Sequence, residues 1–325
     1  MADSNPQSTA PTATAMEPFF IIGAERSGTT LLRLMLDHHP QIRCRFESDF
    51  FVDHLTENGD DPEHEQLVKN LAIDRVARRE GFTVREEHGF KAEVRAFLNR
   101  DAKEVGKPCF GVAIHRRFRH LLSIWPQGRF LNLIRDPRDV APSVIAMGWA
   151  ANTWHGSELW VDSQKEVDQL ESALQPGQIL HVKFEDLVCK PIETLQTICT
   201  FLGFDYDPAM LSYPEDTTYP APDSSAAERW KTKNATRDVQ LVEERVGPWL
   251  ERVGYEKSEF DDIVLSNADR AALRKQNRAG KFRFRAKRFG WFTVVASGVA
   301  RKLGLNGFAK HLEIRMQEKQ EKILR

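Results

Sequence analysis

Residues 19–36 read Phe-Phe-Ile-Ile, then Gly23-Ala24-Glu25-Arg26-Ser27-Gly28-Thr29-Thr30, then Leu-Leu-Arg-Leu-Met-Leu. No other stretch limits the possible folds as strongly. Four apolar residues running into a glycine suit a strand buried on both faces of a parallel sheet. After Gly28, Leu31, Leu32, Met35 and Leu36 fall at helical spacing, and Pro40 ends the helix expected over Thr29 to His39. Strand, glycine-bearing turn and helix together form the opening unit of a nucleotide-type α/β fold.

Three later segments repeat the strand signal: Phe110 to Ile114, Phe130 to Ile134 and Gln178 to Phe184. Each leads into a helical pattern, over His115 to Trp125, Pro137 to Met147 and Pro191 to Leu202. The alternation predicts a parallel sheet with helices on both faces. Residues 47 to 105 read as mostly helical and highly charged, an insertion or cap over the sheet edge. Tyr213 to Ala226, rich in Pro, Ser, Thr and Asp, reads as a long loop of the kind that is usually functional or disordered.

The chain has 325 residues, 41% of them hydrophobic, which is ample for a sizeable core. Its formal charge is −1, so nothing in the total points to nucleic acid. The distribution is uneven. From Lys281 to Arg325 there are twelve Lys/Arg against three Glu, a balance of +9 that leaves −10 for the remainder. Cations alternate with aromatics in Lys281-Phe282-Arg283-Phe284-Arg285, which suits peripheral contact of residues 281–325 with an anionic membrane surface; a solvated helical face is the plainer alternative. Residues 1–17 read as a disordered polar leader without the features of a signal peptide, residues 18–255 as one α/β domain, and residues 256–325 as a helical, basic appendage. Four scattered cysteines, none in CxxC spacing, give neither a disulfide framework nor a zinc site, and they fit a cytoplasmic protein with reduced thiols.

The turn carries the first chemistry. A glycine turn before a helix aims backbone N–H groups and the positive helix end at one spot, which suits phosphate or sulfate. Gly23 and Gly28 are spaced as in a P-loop, but Thr29 stands where an ATP-binding loop needs lysine, and the cation is Arg26 within the loop. A guanidinium with the hydroxyls of Thr29 and Thr30 is better matched to an anion held without metal than to a triphosphate with magnesium. Farther on, Ile134-Arg135-Asp136-Pro137-Arg138-Asp139-Val140-Ala141-Pro142-Ser143 places an arginine at a strand end and a serine eight residues later, about two helical turns on.

These two motifs resemble those of sulfotransferases that use 3′-phosphoadenosine-5′-phosphosulfate (PAPS), in the form shared by many bacterial sulfotransferases and the protein-tyrosine sulfotransferases. The likeness covers roughly residues 18–255. It implies a P-loop-like three-layer α/β fold with a central parallel sheet. It also implies that Arg26, Ser27, Gly28, Thr29 and Thr30 hold the 5′-phosphosulfate, and that Arg135 and Ser143 hold the 3′-phosphate. Trp230, with Lys231 beside it, resembles the family's tryptophan near the adenine or 3′-phosphate, with a place in the core as the alternative. In His181-Val182-Lys183-Phe184-Glu185-Asp186-Leu187, Phe184 stands where the family usually has tyrosine, so that only packing is left of that contact.

Sulfuryl transfer needs a base near the acceptor proton and positive charge near the departing phosphate oxygen. In the tyrosine-sulfotransferase branch a glutamate twenty-one residues after the loop arginine is the base, and Glu47 stands at that distance from Arg26. His115, at a strand end, is the rival; it could act as base or donate to the bridging oxygen, a role that Arg116 or Arg117 could also take. Trp149, Trp154 and Trp160 could line an acceptor pocket, with core packing expected for at least two of them. The implied acceptor is a small-molecule, glycan or lipid hydroxyl, less readily an amine. A P-loop kinase and a non-catalytic nucleotide-binding relative are the competing readings.

Overall fold

The computed structural model of the protein describes residues 17–305, 307, 308, 311–316 and 319. The expected leader lies outside the described residues except for Glu17. Five strands form one wholly parallel sheet: β1 (Phe19–Ile22), β2 (Ile42–Glu47), β3 (Cys109–Ile114), β4 (Arg129–Ile134) and β5 (Ile179–Lys183), in the order β2-β3-β1-β4-β5. β1 is central and fully buried, as its unbroken apolar run requires. β2, at one end of that order, is an edge strand held by its pairing with β3.

The helices are α1 (Thr29–Asp37), α2 (Phe50–Asp53), α3 (His64–Leu71), α4 (Arg75–Arg79), α5 (Phe90–Val105), α6 (Leu121–Ile124), α7 (Pro137–Ala146), α8 (Thr153–Gly156), α9 (Glu158–Glu171), α10 (Phe184–Cys189) and α11 (Pro191–Leu202). They are followed by α12 (Trp230–Lys233), α13 (Thr236–Val246), α14 (Trp249–Arg252), α15 (Asn267–Phe289) and α16 (Trp291–Lys302). One sheet face is covered by α1, α10 and α11 through residues such as Leu32, Leu36, Leu187 and Ile198. The other is covered by α2 to α6 with Val167 and Leu170 of α9.

Residues 47 to 105 therefore belong to one outer helical layer of the three-layer sandwich rather than to a cap over the sheet edge. Their charge is a solvent face. Beneath it, Phe50, Phe82, Phe90 and Phe97 pack ring to ring, with Phe50 and Phe82 centroids 5.1 Å apart and Phe82 and Phe97 5.4 Å apart.

The helix expected over His115 to Trp125 is broken. Arg117 adopts φ 55°, with a 3₁₀ turn at Phe118–His120 before α6. Its guanidinium donates to the carbonyls of Val52, Leu55 and Thr56, at and just beyond the end of α2.

The long loop over 213–226 carries two 3₁₀ turns and is closed by the buried Tyr213, whose hydroxyl donates to Pro220 O at 2.7 Å. At the C-terminal end, α15 lies along the α7–α8 corner through Leu273, Asn277, Gly280 and Phe284, a single helical stripe. Asn277 Oδ1 accepts from Ala151 N at 2.9 Å, and a Cβ on Gly280 would come within 2.2 Å of Ala151 Cβ.

Candidate functional site

The chain runs from β1 out to β2, returns to β3 beside β1, then crosses to β4 on the other side of β1. The carboxyl end of β1 is thus a topological switch point, where an open α/β sheet leaves a crevice. Glu25, Arg26, Thr29, Thr30, Glu47, His115 and Arg135 all follow or end strands on that side and line one cavity of about 330 Å³. Its roof is Tyr219 to Asp223, from the loop that the sequence marks as long.

The turn after β1 is held open by its backbone. Gly28 opens α1 at φ 96°, and a Cβ there would meet the Phe184 ring at 2.4 Å; both facts demand glycine. Arg26 is itself left-handed, at φ 72°, and exposed. Its Nε donates to Ser143 Oγ at 3.0 Å, joining the two sequence motifs across 117 residues. Ser27 Oγ is buried without a hydrogen-bond partner.

Glu47 reaches the cavity because β2 contains a bulge. Between Cys44 and Glu47 the strand takes three steps while β3 takes two, from Gly111 to Ala113. The extra residue reverses the in-out alternation. Ile42 and Cys44 pack on the α1 side, yet Phe46 packs on the α2–α5 side. Glu47 is thereby turned toward α1, where it accepts from Thr30 Oγ1 at 3.2 Å. Without the bulge it would share a face with the residues now opposite it.

His115 follows β3, is 6% exposed, and is fixed on three sides. Its N–H donates to Asp49 Oδ1 at 2.7 Å, Nδ1 lies 3.2 Å from Asp49 Oδ2, and Nε2 lies 3.1 Å from Thr29 Oγ1. Burial works against the charged ring. The Asp49 hydrogen bond and the charges of Asp49, Glu47 and Glu25 outweigh it and leave the His115 pKa above its ordinary value. Asp49 is correspondingly held low: burial opposes its charge, but the His115 contacts and Arg116 prevail. Burial pushes Glu25 up despite the opposing His115 charge. Arg116 and Arg117 are already committed, Arg116 to Asp53 at 2.7 Å and Arg117 to the carbonyls at the end of α2.

Arg135 follows β4 and lies over the Phe184 ring, 4.2 Å from its centroid. Nη2 donates to Ala226 O at 3.0 Å, while the buried Nε has no partner. Burial lowers its pKa against the charges of Asp139 and Glu185. Phe184 thus serves as a platform for Arg135 and a stop for Gly28. Trp230 and Lys231 are not brought to this cavity. Trp230 is buried over Arg138, whose guanidinium carbon is 3.7 Å from its ring centroid, and Lys231 pairs with Glu228 at 2.8 Å. Trp154 and Trp160 are core residues, while Trp149 is 38% exposed and lines the cavity. Glu185 ties elements together, accepting from Asp136 N at 3.1 Å and Tyr255 Oη at 2.7 Å.

Sequence reasoning overlooked Asp49, because its partner His115 is 66 residues away and nothing local marks the pair. It named Glu25 only as part of the turn, although a carboxylate beside the turn's one cation was a visible signal.

The family model described as "Sulfotransferase family" matches residues 18–208. The chain is 25% identical over 296 residues to protein-tyrosine sulfotransferase 1 of Danio rerio, covering 78% of this chain and 79% of that protein. It is 25% identical over 161 residues to the omega-hydroxy-beta-dihydromenaquinone-9 sulfotransferase Stf3 of Mycobacterium bovis, covering 43% of this chain and 39% of that one. In fold it is similar to the sulfotransferase domain from the curacin biosynthetic pathway, with a TM-score of 0.55 and 18% identity over 75% of this chain and all of that domain.

Proposed function

The chain belongs to the sulfotransferase family, and from that premise we propose that it moves a sulfuryl group from PAPS to an acceptor hydroxyl, with Glu47 as base. The observation that carries this reading is the Arg26–Ser143 hydrogen bond of 3.0 Å, which brings the turn after β1 and the strand–helix motif of β4 and α7 to one place. Two buried polar atoms there, Ser27 Oγ and Arg135 Nε, have no protein partner. Such atoms favour an anionic ligand that supplies acceptors, and a bound anion would also support the charge of Arg135. The residues therefore fit a nucleotide with two anionic ends. Arg26, Ser27, Gly28, Thr29 and Thr30 would hold the phosphosulfate end, and Arg135 with Ser143 the 3′-phosphate.

In the transfer, a bond forms between the acceptor oxygen and sulfur, and the bond from sulfur to the 5′-phosphate oxygen breaks. The acceptor proton goes to Glu47. Glu47 is preferred over His115 as base because it is exposed in the cavity, whereas His115 is buried with both ring nitrogens engaged. The raised pKa of His115 suits donation from Nε2 to Thr29 Oγ1, one of the hydroxyls that would hold the phosphosulfate end. Glu47→Gln is expected to lower turnover roughly a hundredfold or more. Affinity for adenosine 3′,5′-bisphosphate, measured without magnesium, should stay unchanged in that variant and fall in Arg26→Ala. Unchanged turnover in Glu47→Gln would remove it as base.

The names of the relatives cited give protein tyrosine and an omega-hydroxy menaquinone as acceptors. For this chain a small-molecule, glycan or lipid hydroxyl is proposed, with peripheral contact at the inner membrane face. The outer side of α16 and the residue that caps it support the contact: Trp291, Phe292, Val299 and Leu303 are exposed, next to Lys302. Co-sedimentation with phosphatidylglycerol vesicles should be lost in Trp291→Asp/Phe292→Asp; retention would end the membrane reading.

A further inference from the structure

A second and larger cavity, of about 700 Å³, lies between the α7–α9 region and the C-terminal helices. Glu25 and Trp149 line both cavities, so the larger one begins where the turn after β1 ends. Its size is that of pockets that enclose whole small ligands. We propose that this cavity takes the acceptor, and that the acceptor is an amphiphilic alcohol with an apolar body and an anionic group; this rests on the sulfuryl-transfer reading above.

Apolar and adaptable side chains supply the walls: Met147, Leu159, Phe284, Phe289 and Met316. Methionine fits irregular or flexible apolar chains because its unbranched thioether repacks easily. The charged groups are not balanced in the same way. The four acidic residues of the lining each have a cation nearby: Glu25 with Arg116 at 3.9 Å, Glu158 with Arg245 at 3.1 Å, Asp162 with Lys165 at 3.3 Å, and Glu313 with Arg301 at 3.4 Å. Lys281 and Arg285 have no carboxylate within 4.0 Å among the described residues. Two cations with no carboxylate partner beside apolar walls match an amphiphile with a negative group. His155 agrees with this: burial and the cations Arg245, Arg274 and Lys281 hold its pKa below the usual value against Glu158.

Five of these side chains, Lys281, Phe284, Arg285, Phe289 and Met316, come from beyond residue 208, where the family match ends. The acceptor would thus be chosen by a part of the chain that lies beyond the family match. An alcohol seated there would place its oxygen past Glu25 and Trp149. It would be sulfated with the bond changes already given, its proton leaving to Glu47.

The test uses the full chain and two probes below their micelle-forming concentrations, ω-hydroxylaurate and the neutral lauryl alcohol. Equilibrium binding is followed by calorimetry and sulfation with labelled PAPS. Wild type should favour ω-hydroxylaurate. Lys281→Glu and Arg285→Glu should raise its KM about tenfold and abolish the preference, and Met147→Trp should weaken both probes by filling the cavity. Adenosine 3′,5′-bisphosphate affinity should not move in any of the three. If the bisphosphate binds but neither amphiphile does, or the charge reversals change nothing, the cavity assignment is overturned. Sulfation of a tyrosine peptide alone would overturn it too. Loss of bisphosphate binding by wild type would instead overturn the donor reading, and the calorimetry still judges the cavity.

Discussion

His115 and Asp49 show how a pair of side chains can both hold the site and make it sensitive to pH. The His115 pKa is raised above its ordinary 6.5, so its contribution to stability is fully present below that value and lost as pH rises through the folded-state value. The Asp49 pKa is lowered below its ordinary 3.8, so its contribution is present above 3.8 and lost as pH falls through the folded-state value. The pair therefore stabilises most between those limits. Glu25, Glu47 and Arg116 also face it and share in the balance. Asp49→Asn should cost about 1–3 kcal/mol near pH 6 and less near pH 9. Chemical denaturation of both proteins at the two pH values reads this directly, and a cost independent of pH would mean that the ring is neutral in the fold. Of this constellation the sequence showed His115 at a strand end, because strand ends are local. It could not show Asp49, because only the packing of α2 against the end of β3 brings the two together.

Two elements decide the shape of the site. The bulge in β2 reverses which side chains face α1, and so gives Glu47 its place beside Thr30. Spacing from Arg26 pointed to Glu47 only through family likeness; alternation along an ideal strand would have turned it away. The second element is α15, which seats against the α7–α8 corner where Gly280 leaves room for Ala151. Gly280→Ala sets two effects against each other. Helix propensity gains about 1 kcal/mol, while a Cβ only 2.2 Å from Ala151 Cβ forces a backbone shift costing about 1–3 kcal/mol. The overlap should win, lowering the melting temperature and weakening amphiphile binding together. A more stable Gly280→Ala protein would show that α15 yields without cost.

Across the whole molecule, one buried ion network ties the sheet end to the later helices. Arg138 is 2% exposed and bonds Asp136 at 2.7 Å and Glu243 of α13 at 2.7 Å, with Trp230 over it. Removing the arginine leaves two buried carboxylates uncompensated, so Arg138→Ala should cost about 3–5 kcal/mol. Asp136 follows Arg135 directly, so the loss should also weaken binding of the bisphosphate. Equilibrium unfolding together with bisphosphate titration checks both, and a loss under about 1 kcal/mol would contradict the network's role.

The sequence by itself determined what is local: the apolar run of β1, the glycine turn with Arg26 and no lysine, the strand-end Arg135 with Ser143 two turns on, and the basic end of the chain. Each is written in neighbouring residues, and periodicity or turn chemistry suffices to read it. Tertiary structure decided what depends on residues far apart. It made charged residues 47–105 part of a helical layer over an aromatic core, turned Glu47 toward α1 through the bulge, and joined Arg26 to Ser143. It also enclosed a second cavity beneath the C-terminal helices. The reason is physical: a chain fixes its local conformation over a few residues, but burial, register and contact across more than a hundred residues exist only once the layers have packed.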